Sequence, residues 1–203
     1  MKHYRVTIFG SARITQGDPR WALVYSIAKM LAEERIDVVT GGGPGLMEAA
    51  SAGHHVGRKE KGLQSIGLRI ALPFEEKDSF HLDIKQEFKR FSARLDKFME
   101  LSNAVIVAPG GIGTMLELFY AWQLVQVKHI TEIPIILLGE RWRGLLAWLK
   151  KELRDEKLMD NEDFRYIYLA TTCDEALELI RHFHARWEEG KPQCTDYHKH
   201  QNY

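Results

Sequence analysis

The apolar run from Ala104 to Ala108 stops at Pro109-Gly110-Gly111-Ile112-Gly113-Thr114, and a helical pattern opens there that continues to about Lys128. A strand that empties through glycines into a helix leaves little freedom for the fold around it. The glycines let the backbone approach a ligand closely, and the first N–H groups of the helix have no partner within it. Such a turn is a natural seat for a phosphate, with Gly110, Gly111, Gly113 and the Thr114 hydroxyl as its donors. Glu117, one turn further on, suits a sugar, a base or a water beside that phosphate better than the phosphate itself. It also has a plainer reading, as an early-helix carboxylate favoured by the dipole.

The same grammar recurs upstream. Asp37 to Thr40 reads as a strand that ends in Gly41-Gly42-Gly43-Pro44-Gly45, followed by a helix from Leu46 to Val56. Glu48 sits early in that helix, as a second candidate carboxylate for the ligand or as a partner for the dipole. Tyr4 to Phe9 forms a first strand with Gly10-Ser11-Ala12-Arg13 as its turn, and Asp18 caps a helix over Pro19 to Glu34 whose apolar face is Leu23, Ile27, Met30 and Leu31. A third strand runs from Gln64 to Leu72, and the polar stretch from Phe74 to Ile84 reads as a loop over the site. A helix from Phe88 to Ser102, apolar at Phe91, Leu95, Phe98 and Met99, carries Arg94 near its start. Ile133 to Leu138 and Arg165 to Ala170 are strands five and six. Helices span Trp142 to Arg154 and Asp174 to Glu188.

Strands alternating with helices imply an α/β fold, a Rossmann-like doubly wound parallel sheet with helices on both faces. The expected order is 3-2-1-4-5-6, which brings all three glycine turns to one crevice at the carboxyl ends of the strands. With 203 residues and 45% hydrophobic content, one domain is expected over residues 1–190, with a polar, His-bearing tail over 191–203. Twenty-eight basic residues balance twenty-eight acidic ones, so no overall field draws in nucleic acid or an anionic membrane. No apolar run is long enough to span a bilayer. MKHYRVTIFG enters a strand directly rather than through a signal peptide, and Cys173 and Cys194 lack CxxC spacing, so reducing cytoplasm is the expected compartment.

Neither glycine turn matches the dinucleotide fingerprint or the GK[ST] ending of a nucleoside-triphosphate loop. His54 and His55 are adjacent and cannot share a helix face, which argues against a metal site there. Trp122, Leu124, Val125 and Val127 give their helix more apolar surface than one sheet face requires, so either deep core or a subunit interface accounts for them.

FGSARI from Phe9, VVTGGGPGLMEAA from Val38, SIGLRIALPFEE from Ser65 and PGGIGTMLEL from Pro109 together resemble the LOG family, cytokinin-riboside 5′-monophosphate phosphoribohydrolases often misnamed lysine decarboxylases. The likeness spans roughly residues 4 to 185. It implies a homodimer or dimer of dimers and cleavage of AMP, or an N6-substituted AMP, into free base and ribose 5-phosphate, without metal or organic cofactor. It places the 5′-phosphate on the Pro109–Thr114 turn and the catalytic pair at Arg94 and Glu117. Gly41, Gly42, Gly43, Gly45 and Glu48 would close the other side, with Gly10, Ser11 and Arg13 near ribose or base. On this reading Arg94 keeps Glu117 ionised. Leu95 and Leu116 stand where the family usually carries charged residues. The wider superfamily also holds molybdenum-cofactor carriers, so a non-catalytic nucleotide or pterin-phosphate carrier or sensor is the alternative. Nothing reads as a pyridoxal-phosphate lysine with its partners.

Overall fold

The structure, a computed structural model, describes residues 3–59, 61–71 and 81–194. Its strands are β1 (Arg5–Phe9), β2 (Asp37–Thr40), β3 (Ser65–Ile70), β4 (Ile84–Phe88), β5 (Ala104–Val107), β6 (Ile135–Leu138) and β7 (Ile167–Ala170). Between and after them run α1 (Pro19–Glu33), α2 (Leu46–Gly57), α3 (Phe91–Leu101), α4 (Ile112–Gln126), α5 (Trp142–Leu149) and α6 (Cys173–Glu188). All strand pairs are parallel, in the order β4-β3-β2-β1-β5-β6-β7. This is the expected order with one strand added at the edge. The inner strands β5 and β6 are buried at every position, which is why they read as unbroken apolar runs and not as alternation.

The added strand corrects the expected loop and the expected start of the next helix. Ile84 to Phe88 pairs along Ile66 to Ile70, and α3 begins only at Phe91. β4 is exposed along most of its length. An edge strand with Lys85, Gln86 and Glu87 facing water carries no apolar signature, and charges of this kind discourage further pairing. Residues 74–80 of the expected loop, with the end of the expected third strand at Leu72, lie outside the described residues.

Helix α1 is capped as expected, with the Asp18 carboxylate accepting the Arg20 N–H at 2.8 Å. Its buried face is Val24, Ile27, Ala28, Leu31 and Ala32, rotated from the expected one because α2 lies against it. A Cβ on Gly53 or Gly57 would collide with the α1 backbone at Tyr25 or Lys29, so these two glycines, one turn apart, set how closely the helices approach. His54 between them is core, its Nε2 2.9 Å from the Ile36 carbonyl oxygen. Burial pushes its pKa down to about 4, so the ring is neutral.

The C-terminal stretch expected as a loose tail is anchored at its start. Gln193 and Cys194 are buried, and the Tyr4 hydroxyl donates to Gln193 Oε1 at 2.7 Å; residues 195–203 are outside the described part. Among the described residues no helix is long and apolar enough to cross a membrane. Gln193→Ala should leave the buried Tyr4 hydroxyl with only its 3.3 Å bond to the Asn103 carbonyl and cost about 1–2 kcal/mol. Urea denaturation checks this, and an unchanged midpoint would contradict the anchoring.

Candidate active site

The three turns do converge, and they are tied together through their main chains. The Ser11 N–H donates to the Pro109 carbonyl at 3.2 Å, and the Leu46 N–H donates to the Ser11 carbonyl at 2.9 Å. Gly45 permits the second bond. It sits at φ +73°, and a Cβ there would lie 2.5 Å from the Ser11 oxygen, so both its dihedral and its contact demand glycine. Gly110 is needed for a different reason, because the Thr114 side chain rests where its Cβ would be.

Between the turns lies a crevice of about 450 Å³. Gly10, Ser11, Arg13, Gly41, Arg94, Gly111, Gly113, Thr114 and Glu117 line it. Gly42, Gly43, Gly45, Glu48, Pro109 and Gly110 do not. The glycines of the second turn below Gly41 are buried under it, and Pro109 and Gly110 act as a clasp and as a floor for Thr114. These five therefore shape the crevice without walling it, and Glu48 takes no part in its wall. The apolar wall, from Met47, Ile70, Phe91 and Ile112, was not singled out by the motifs, since apolar residues at strand and helix ends read as core.

At one end of the crevice, α4 starts with no side-chain cap and no acidic residue in its first turn. Its first helical bond runs from the Met115 N–H to the Gly111 carbonyl at 3.0 Å, so the amides of Ile112, Gly113 and Thr114 have no partner within the helix. All three residues line the crevice. Uncapped amides and the positive end of the helix dipole together form an anion seat.

One turn on, Glu117 faces Arg94, with Nη1 3.5 Å from Oε1. The arginine comes from α3 and is held from three sides. Its Nε donates to the Leu68 carbonyl at 2.7 Å, its guanidinium lies 5.1 Å over the Phe98 ring, and one Nη occupies the space that the missing Cβ of Gly41 leaves. The Tyr120 hydroxyl hydrogen-bonds Asp96, which joins the two helices that carry the pair.

The electrostatics reverse one expectation. Glu117 is only 13% exposed, and burial pushes its carboxyl up from 4.5 to about 7, with Arg94 pulling the other way. Desolvation outweighs an ion pair as long as 3.5 Å, so Arg94 does not keep Glu117 ionised as expected; the carboxyl changes state near neutrality. The two leucines that replace charged family positions lie outside the crevice. Leu95 is core, and Leu116 is 47% exposed on the outer face of α4.

A family model described as "possible lysine decarboxylase" matches residues 47–180. The chain belongs to that family. The matched span takes in Arg94, the start of α4 and Glu117. A relative in Escherichia coli (strain K12), a pyrimidine/purine nucleotide 5′-monophosphate nucleosidase, is 28% identical over 67% of this chain. The match spans 31% of that enzyme's length. Among solved structures, the molybdenum cofactor binding protein of Rippkaea orientalis superimposes with a TM-score of 0.65 at 24% identity, over 89% of this chain and 97% of its own. The molybdenum cofactor carrier protein of Chlamydomonas reinhardtii gives 0.63 at 18%, over 88% and 96%. At these identities the two structures establish the fold.

A carboxyl whose folded pKa is raised stabilises the fold below its unfolded value and loses that contribution as pH climbs through the folded one. For Glu117 the loss runs from about pH 4.5 to about pH 7 and amounts to about 3 kcal/mol at most. Glu117→Gln removes it, so the variant should be more stable than the parent at pH 8 and lose that advantage at pH 4.5. Urea melts at the two pH values measure this; an equal difference at both would contradict the burial account.

Proposed function

We propose that the protein hydrolyses the N-glycosidic bond of a nucleoside 5′-monophosphate, releasing free base and ribose 5-phosphate. The observation that carries the proposal is the placement of Glu117 and Arg94 one turn from the uncapped start of α4. An anion on that turn leaves its sugar beside a carboxyl that titrates near pH 7. Family membership and the nucleosidase relative support the same reaction type. AMP, or an AMP substituted at N6, is the substrate we favour.

The proposed chemistry uses Glu117, Arg94 and a water. The bond from C1′ to the base nitrogen breaks, its electron pair leaves with the base, and positive charge grows on the sugar. Ionised Glu117 stabilises that charge and takes a proton from the water that attacks C1′, by the carboxylate logic of glycoside hydrolysis. Arg94 stabilises the departing base as it acquires negative character, before that base takes up a proton. A carboxyl poised near neutrality can accept the proton and release it again within each turnover.

The outer face of α4 supports a homodimer. Ile112, Leu116 and Phe119 recur at helical spacing and are 87%, 47% and 40% exposed. Trp122 and Val125, read from the sequence as either core or interface, are buried in the chain's own core, as is Leu118. The stripe is thus shifted toward the crevice end of the helix, and Leu116 extends it. We expect light scattering at micromolar concentration to return about twice 23.5 kDa; a monomer mass would contradict the pairing.

Incubation with a panel of nucleoside monophosphates should yield ribose 5-phosphate, and Glu117→Gln should lower the rate by about a hundredfold or more. The same variant should still bind AMP far better than adenosine in calorimetry, because backbone amides make the anion seat. A parent protein that holds a monophosphate without cleaving it, and a variant that holds it equally well, would make this a carrier or sensor instead.

A further inference from the structure

The geometry points to Phe91 as the residue on which the base of the bound nucleotide stacks, and hence as a determinant of which monophosphates are accepted. The inference rests on the nucleotide reading above. On α3 the buried face is Arg94, Leu95, Phe98 and Met99. Phe91 lies on the same side, one turn earlier, yet it is 51% exposed and lines the crevice. The first turn of the helix therefore holds an aromatic ring at the open edge of the crevice. The guanidinium of Arg94 sits over a different ring, that of Phe98.

Its position follows from the strand order. The anion seat follows β5, Gly41 follows β2, Ile70 ends β3, and Phe91 follows β4. From β5 to β3 is three strand spacings, roughly 14 Å, with Arg94 and Glu117 between the ends. A phosphate on the α4 amides and a C1′ at Glu117 direct the base toward β3, where Met47, Ile70 and Phe91 are the lining residues. A thioether, a branched aliphatic and an aromatic ring offer flat contact to the π-face of a heterocycle. Stacking of this kind tolerates every base and grows with ring overlap, so purines should gain more than pyrimidines.

The test compares Phe91→Ala, Phe91→Leu and Phe91→Tyr with the parent, using AMP, UMP and ribose 5-phosphate. Phe91→Ala should lower kcat/KM for AMP by roughly tenfold to a hundredfold, mostly through KM, and lower it less for UMP. Tyrosine should stay within a few fold of the parent, and leucine should fall near alanine. Calorimetry should give unchanged affinity for ribose 5-phosphate, which carries the phosphate and sugar but no base. Equal losses for AMP and ribose 5-phosphate, full rescue by leucine, or a change in oligomeric mass would each overturn the inference. If the parent cleaves no monophosphate, the hydrolytic reading fails, and calorimetry decides this one separately. The preference for AMP over ribose 5-phosphate must then shrink in Phe91→Ala, and an unchanged preference overturns it.

Discussion

The removal of Glu117 from water is the constraint on which the rest of the site depends. A carboxyl on the first turns of a helix would ordinarily face solvent, remain ionised at neutral pH and do little. Here the turn after β1 is bonded to the turn after β5 and to the start of α2, and the crevice they enclose leaves Glu117 mostly covered. With a single arginine at 3.5 Å to oppose it, desolvation sets the protonation equilibrium. Arg94 keeps its charge, while Glu117 is not locked in one state, as acid–base work requires.

This arrangement costs stability, and the fold around it explains how the cost is carried. The strands beneath the crevice are buried on both faces, α1 and α2 pack backbone to backbone through Gly53 and Gly57, and the C-terminal Gln193 reaches back to Tyr4. Each stabilises the molecule away from the crevice. At the site itself, two glycines stand where a side chain would strike the main chain or fill the room an arginine needs. Gly45 and Gly41 illustrate the two cases, one a dihedral and contact demand, the other the space that an Nη of Arg94 occupies. Substitution at either would disturb the position of the pair before it touched a ligand.

Much of this was legible in the sequence, and the limits have physical causes. The strand-to-helix turns were readable because glycine clusters between an apolar run and a 3.6-residue pattern have few other uses, and their convergence followed from parallel topology. Glu117 stood out by its offset from the turn, whereas Arg94 is indistinguishable from a surface arginine without the family likeness. The direction of the Glu117 shift was read wrongly because local sequence shows the charged neighbour but not the solvent excluded by elements distant in the chain. β4 was invisible because an exposed edge strand needs no apolar alternation. Phe91 was assigned to the core face of its helix. The spacing gives the face correctly but does not tell that its first turn opens on the crevice. Gln193 and Cys194 were placed in a loose tail because polarity alone does not reveal a single buried hydrogen bond.

The central claim is that a crevice built by three bonded turns holds a carboxyl that changes protonation state near neutrality. Titration of the Glu117 side-chain carboxyl by carbon-13 NMR, assigned by comparison with Glu117→Gln, tests it most directly. The account predicts a midpoint close to the value of about 7 set by burial. A midpoint near 4.5 would mean that Arg94 or water controls the group, and would contradict the account.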